Sequence, residues 1–215
     1  MRKCLCIVIL FLGSNVILNA QETSIGVKAG LNYSSIVGDL TDGIKFRFSG
    51  HAGVYLEVEF NDRFSFQPEL LYSSQGFQFS SDLQTIQNGG IAFDQNDIRT
   101  NVQFNYLTIP VIGKFALNDR LAVEFGPQFG FLLNQVTKIK NLDQRDDTLT
   151  DDRSSTSGDF QLDYGAAVGI GIKVTEHFSV SPRAYIGLRN RLNGAMANIK
   201  NYNVALQLSA NYTFL

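Results

Sequence analysis

The chain has 215 residues, 44% of them hydrophobic, with 18 Lys and Arg against 20 Asp and Glu and a formal net charge of −2. That size suits one domain with a filled interior, no shift in composition marks a second, and the slightly acidic balance offers nothing to recruit nucleic acid. The two cysteines, Cys4 and Cys6, both fall within the leader, so a disulfide framework, a thiol nucleophile and a cysteine metal site are excluded from the mature chain.

The first element is "MRKCLCIVILFLGSNVILNA", a short basic start at Arg2 and Lys3, an apolar run and a small residue at Ala20. This is the layout of a secretory signal peptide over residues 1–20, with the mature domain over 21–215. Losing Arg2 and Lys3 leaves 16 basic residues against 20 acidic ones, a net charge near −4. No mature segment holds the roughly 18 consecutive apolar residues of a helical span, which leaves a soluble exported protein or a transmembrane barrel.

Eight mature segments then place apolar residues on alternate positions, the period of a strand. Thr23 to Ser34 aligns Ile25, Val27, Ala29, Leu31 and Tyr33; Phe46 to Phe60 aligns Phe48, Ala52, Val54, Leu56 and Val58 with its two ends. A third begins Phe64, Phe66, Leu70, Tyr72, and a fourth uses Leu107, Ile109, Val111 and Phe115. The fifth aligns Leu121, Val123, Phe125, Phe129, Phe131 and Leu133; the sixth runs from Phe160 to Val174; the seventh carries Phe178, Val180, Ala184, Ile186 and Leu188; the last runs from Tyr202 to Leu215. Strands this long exceed the usual soluble length of about 5 or 6 residues and approach the roughly 9 to 11 of a tilted membrane strand.

Connections alternate between short and long. Asn61 to Arg63, Ala116 to Arg120 and Thr175 to His177 are tight; residues 35–45, 74–100, 135–158 and 190–201 are long and polar. One phrase, a turn of the type Asn-Asp-Arg followed by an alternating strand with a proline, recurs about every 57 residues, at Asn61, Asn118 and, more weakly, Thr175. Strict alternation predicts an all-β fold, an eight-stranded antiparallel up-and-down transmembrane β-barrel with its turns in the periplasm and its loops outside. Within the long loops, Asn88-Gly89 predicts a projecting hairpin. The segment holding Asp143, Asp146, Asp147, Asp151 and Asp152 lacks the regular spacing of a calcium loop and reads as a solvated loop. Prolines 68, 110, 127 and 182 all fall in predicted strands, where bulges or rim positions are expected for them.

Orientation follows from the second face. Opposite the apolar parity lie Lys28, Arg47, Glu57, Glu59, Glu69, Lys114, Glu124, Asp163, Lys173, Arg183 and Arg189, six basic and five acidic, among many Gly, Ser, Asn, Gln and Thr. Small neutral residues and balanced charge suit the confined lumen of an eight-stranded barrel, and the charges are expected to pair there and plug it. Tyr33, Tyr72, Tyr164, Tyr202 and Tyr212, with Phe60, Phe64 and Phe178 beside the turns, are expected to form the aromatic girdles. Two histidines survive in the mature chain: His177 in a turn and His51 toward the lumen, near Glu57 and Glu59. No nucleophile or oxyanion pocket accompanies them, so no catalysis, cofactor or metal is expected.

The phrases "GVKAGLNYS", "FQPELLYSSQGF", "NYLTIPVIGKF", "FGPQFGFLL", "DYGAAVGIGIK" and "NYTFL" occur in this order along nearly the whole mature chain. In that order they resemble the PorT-like bacterial outer-membrane beta-barrel domain proteins. The resemblance implies a Gram-negative cell outer membrane location, a porin-like eight-stranded barrel and, for most members, no defined activity. It also implies partners: outer-membrane lipid, the barrel-assembly machinery, which reads an aromatic at the end of the last strand, and for one branch a secretion machine. Here Phe214 is penultimate and Leu215 last. The expected role is non-enzymatic, structural or through loop-mediated adhesion or docking of an extracellular or secretion-machinery protein. The alternative from another class is a soluble periplasmic lipocalin-like barrel around an apolar ligand, and a third is a barrel enzyme dependent on His51.

Overall fold

The computed structural model describes residues 22–39, 41, 43–81, 98–141, 150–152, 162–190 and 200–214. The strands are β1 (Thr23–Gly38), β2 (Ile44–Asn61), β3 (Phe64–Ser81), β4 (Ile98–Ala116), β5 (Leu121–Asn141), β6 (Thr150–Asp152), β7 (Leu162–Lys173), β8 (Phe178–Gly187) and β9 (Asn201–Thr213). All but β6 form a closed ring of eight antiparallel strands in the order β1-β2-β3-β4-β5-β7-β8-β9, sealed where β9 returns to β1 from Gly26↔Thr213 to Gly38↔Asn201. β6 adds to the far end of β5, where Lys138 pairs with Asp151. Closure matters in hydrocarbon, where an unpaired strand edge has no water to satisfy it.

Side-chain parity sets which face meets what. Phe125 and Ile170 are 52% and 48% exposed on the outside, whereas Lys28 and Glu124 are each 1% exposed in the lumen. A soluble carrier barrel needs the inverse, with an apolar interior and charged exterior, so the lipocalin-like alternative is overturned. Aromatic side chains cluster toward both ends of the outer face. Tyr33 stacks on Phe46 and sits against Phe48, each at 4.6 Å, while Phe60 meets Phe64 and Tyr212 meets Phe214 near the turns.

The recurring turn has one geometry. Asn61 Oδ1 accepts hydrogen bonds from the amides of Arg63 and Phe64, both at 2.9 Å, and Asn118 Oδ1 accepts from Arg120 and Leu121, both at 3.0 Å. At the third turn Thr175 Oγ1 accepts from the Phe178 amide at 3.0 Å. A short polar side chain thus completes each turn in place of a backbone acceptor.

Two expectations are corrected. None of the four prolines sits at a register shift or at a rim; the shifts fall at Phe46/His51, Glu59/Asn61 and Asn105/Tyr106. Each proline instead opens a gap in the ladder while the register continues unchanged. Around Pro68 the β2–β3 pairs pass from Val58↔Phe66 to Tyr55↔Glu69, and around Pro182 the β7–β8 pairs pass from Ile172↔Val180 to Gly169↔Arg183. A missing N–H removes a bond but inserts no residue, so no bulge is required. The second correction concerns length. β3, β4 and β5 continue beyond the predicted loop boundaries, pairing as far as Ser81↔Ile98 and Ile98↔Asn141. Past the bilayer a strand no longer needs one oily face, so apolar alternation stops before pairing does. The Asn88-Gly89 turn and Asp143, Asp146 and Asp147 lie outside the described residues.

Candidate functional site

Seen across the lumen, β3 and β8 stand on opposite walls of the eight-strand ring. From them Glu69 and Arg183 meet in the middle, with Arg183 Nη2 2.8 Å from Glu69 Oε1. That contact is ionic without hydrogen-bond alignment. The directed bonds are Lys28 Nζ to Glu69 Oε1 at 2.6 Å and Arg183 Nε to Glu124 Oε2 at 2.7 Å. Two cations and two carboxylates, all fully or nearly fully buried, therefore neutralise one another from four strands. Gln67 extends the chain, donating to Glu69 at 2.6 Å and accepting from Lys114 Nζ at 3.1 Å. Lys114 in turn lies 2.8 Å from Glu57. Such pairing is what makes buried charge tolerable, since an unpaired ion costs several kcal/mol in desolvation, of order 3–5 when one partner is removed.

β7 makes room for these side chains by carrying glycine where it faces them, at Gly169 and Gly171. A Cβ on Gly169 would stand 2.5 Å from both Arg183 Cγ and the Pro182 carbonyl oxygen, and one on Gly171 would stand 2.8 Å from Glu124 Oε1. Because the Pro182 oxygen is backbone, Gly169→Ala must displace strand β8. The expected cost is about 1–3 kcal/mol, read as a lower urea midpoint of the refolded barrel in lipid vesicles.

Next to the ion network, a neutral layer of polar side chains fills the lumen. Asn32 Nδ2 donates to the Ser74 carbonyl at 2.8 Å and the Gly50 carbonyl at 3.2 Å, which fixes Asn32 Oδ1 as an acceptor. His51 Nδ1, 2.8 Å from that oxygen, must then carry the proton, and Nε2 accepts from Ser209 Oγ at 2.8 Å. Both ring nitrogens are committed to neutral partners. The expected proximity of His51 to Glu57 and Glu59 is thus corrected in terms of contacts: β2 carries all three, but His51 turns to β1 and β9.

The candidate lumen charges do not form one network. Lys28, Glu69, Arg183 and Glu124 join in the centre, with Glu57 and Lys114 beside them. Arg47 takes no carboxylate among the described residues; it donates to Asn101 Oδ1 at 2.8 Å, Gln103 Oε1 at 2.9 Å and Ser74 Oγ at 3.2 Å, since β2 carries it toward the extracellular end, where amides surround it. Asp163 lies in a separate cluster, accepting from Tyr185 Oη at 3.2 Å and Asn203 Nδ2 at 2.7 Å. Arg189 donates to the Leu162 carbonyl. Glu59 and Lys173 are exposed at the periplasmic mouth. The lumen also holds an apolar plug that parity reasoning missed, Phe104, Tyr106 and Leu132 packed with Phe77 and Val102. These residues lie on the inward parity of their strands, but oily alternation marks only the outer face and gives no reason to expect large apolar side chains inside.

The sequence model of the outer membrane protein beta-barrel domain family matches residues 19–193. No curated protein matches the chain. Among solved structures, Neisserial surface protein A is 11% identical with a TM-score of 0.49, covering 90% of this chain and 99% of that one. The Ail attachment invasion locus protein of Yersinia pestis is 14% identical with a TM-score of 0.46 and the same coverages of 90% and 99%. The N-terminal β-barrel domain of Pseudomonas aeruginosa OprF is 11% identical with a TM-score of 0.39, again over 90% and 99%.

Proposed function

The chain belongs to the outer membrane protein beta-barrel domain family, and from that premise we propose that it is a non-enzymatic barrel whose extracellular end engages a protein partner, in adhesion or docking. Its place is the outer membrane, with lipid against its apolar face. The observation that carries the proposal is an imbalance of strand length. β3, β4 and β5 have 18, 19 and 21 residues, whereas β7, β8 and β9 have 12, 10 and 13. Tight turns hold the periplasmic ends level, so the excess over the roughly 9–11 residues that cross a bilayer extends outside the cell. A paired blade of strands, extended by β6, stands there as a surface that the membrane does not require.

Several finer readings accompany this one. Residues 1–20 act as a cleaved leader and 21–215 as the barrel; the order of the quoted phrases supports a PorT-like member; β9, with Tyr212 near its end and Phe214 one residue beyond it, addresses the barrel-assembly machinery; and the ion network of Lys28, Glu69, Arg183 and Glu124 seals the lumen. The partner belongs to the extracellular medium or to a secretion machine.

Protease treatment of intact cells tests the proposal. Cleavage should be confined to residues 74–100 and 135–158, and a chain lacking residues 82–97 should lose partner attachment while keeping heat-modifiable migration. Cleavage at the three tight turns, or extraction of the protein by carbonate, would sink it.

A further inference from the structure

We propose that the extracellular blade is a hinged lid: it turns about a crease that crosses β2 to β5, Arg47 and Ser34 latch it shut, and its apolar underside closes the outer mouth of the lumen. The inference concerns how the blade joins the barrel and does not depend on the blade having a partner.

Four neighbouring strands lose regularity at one level. The β2–β3 register shifts between Phe46 and His51, β3 holds Gly76 at φ 138°, and the β4–β5 register shifts at Asn105/Tyr106. These positions lie in line, because Ser74 pairs with Asn105 and Gly76 with Gln103, and Asn105 pairs with Asn134. A Cβ on Gly76 would stand 2.0 Å from the Val102 carbonyl oxygen, so the bend in β3 requires glycine. A bulge bends its own strand, and bulges aligned across a sheet make a fold line. The ladders joining β1, β9, β8 and β7 carry no register shift.

Beyond the crease the blade has no ladder to the rest of the ring among the described residues. Pairing of β2 with β1 ends at Ser34↔Arg47, and pairing of β5 with β7 ends at Phe131↔Leu162. The β3–β4 ladder runs unbroken from Leu71↔Thr108 to Ser81↔Ile98, so the blade moves as one piece.

Its resting direction is inward. Strands two places apart lie roughly 9 Å from each other, whereas a serine side chain and its hydrogen bond together span about 5 Å. Yet Ser34 Oγ on β1 accepts from the Gly76 amide at 2.9 Å and donates to its carbonyl at 3.0 Å. β3 therefore leaves the cylinder here and leans over the lumen. The lean carries Phe77, Val102 and Phe104 onto Tyr106 and Leu132, an apolar cover above the polar layer of Asn32, His51 and Ser209. Arg47 holds it there, donating to Ser74 Oγ and the Gln75 carbonyl on β3 and to Asn101 and Gln103 on β4. All of these acceptors are neutral and water can replace them, whereas the central network pairs ion with ion. The lid is thus the part that opens while the barrel stays closed.

The test uses the mature chain, which has no cysteine, in lipid nanodiscs with spin labels at Gln78→Cys and Lys200→Cys, both exposed positions on opposite sides of the crease. Pulsed electron resonance should give a dominant short distance and a minor long one. Arg47→Ala should raise the long fraction about tenfold, and Ser34→Ala should move it the same way. A thiol beneath the lid, Ser209→Cys, should react about tenfold faster with a small charged methanethiosulfonate when Arg47 is alanine. Labels at Val54→Cys and Leu208→Cys, below the crease, should keep their distance. Val168→Arg, which strains the barrel away from the crease, should change neither reading, and heat-modifiable migration identifies the folded variants. A single distance indifferent to both latch substitutions in folded protein, or an equal response to Val168→Arg, would overturn the proposal.

Discussion

Replacing Glu69 with alanine is expected to cost about 3–5 kcal/mol, the largest single loss the lumen offers, because it leaves two buried cations where there was a neutral set. Lys28 loses the carboxylate that it holds at 2.6 Å, and Arg183 keeps Glu124 alone. Water can reach neither site without opening the barrel, since Lys28 is 1% and Arg183 4% exposed. The check is urea unfolding of the refolded protein in lipid vesicles. The double variant Lys28→Met with Glu69→Gln should recover much of the loss, because it removes a cation and an anion together and returns the centre to charge balance. If the double variant were as unstable as Glu69→Ala, the cost would come from packing and the electrostatic account would fail.

Val168→Arg is expected to destabilise the barrel by about 2–4 kcal/mol, with the cost depending on depth in the bilayer. Val168 lies near the middle of β7, 55% exposed on the outer face, in register with Phe125 on one side and Ala184 on the other. An arginine there enters hydrocarbon with no partner. The same change at Val174, in the periplasmic turn after β7, places the charge near the interface, where the expected cost is roughly 0–1 kcal/mol. Equal effects at the two positions would contradict lipid contact at Val168, since a water-facing exterior would accept both alike.

How far these outcomes are legible in the chain differs between the faces. Lipid imposes one requirement on every outward residue, so the parity of Ile25, Val54, Phe125, Val168 and Leu208 is readable locally and locates the outside of each strand. The tight turns are equally local. Asn61 and Asn118 close them within three residues, and their repetition with long loops between dictates the up-and-down order. Strand ends outside the bilayer are different. At Gln78 to Ser81 and Val136 to Asn141 no solvent forces an alternation, and only the partner strand decides that pairing continues.

By itself, then, the sequence determined the fold class, the number of membrane strands, the outward face and which charged residues lie on the inward parity, because each of these follows from interactions between near neighbours and the surrounding solvent. Only the tertiary structure decided which charges meet. Glu69 and Arg183 are 114 positions apart, on opposite walls, and their contact depends on ring order, the register of the eight ladders and the empty space at Gly169. The same closure sends Arg47 to amides and turns His51 toward Asn32 and Ser209. Parity specifies a direction, but the distance across a lumen is a property of the closed cylinder.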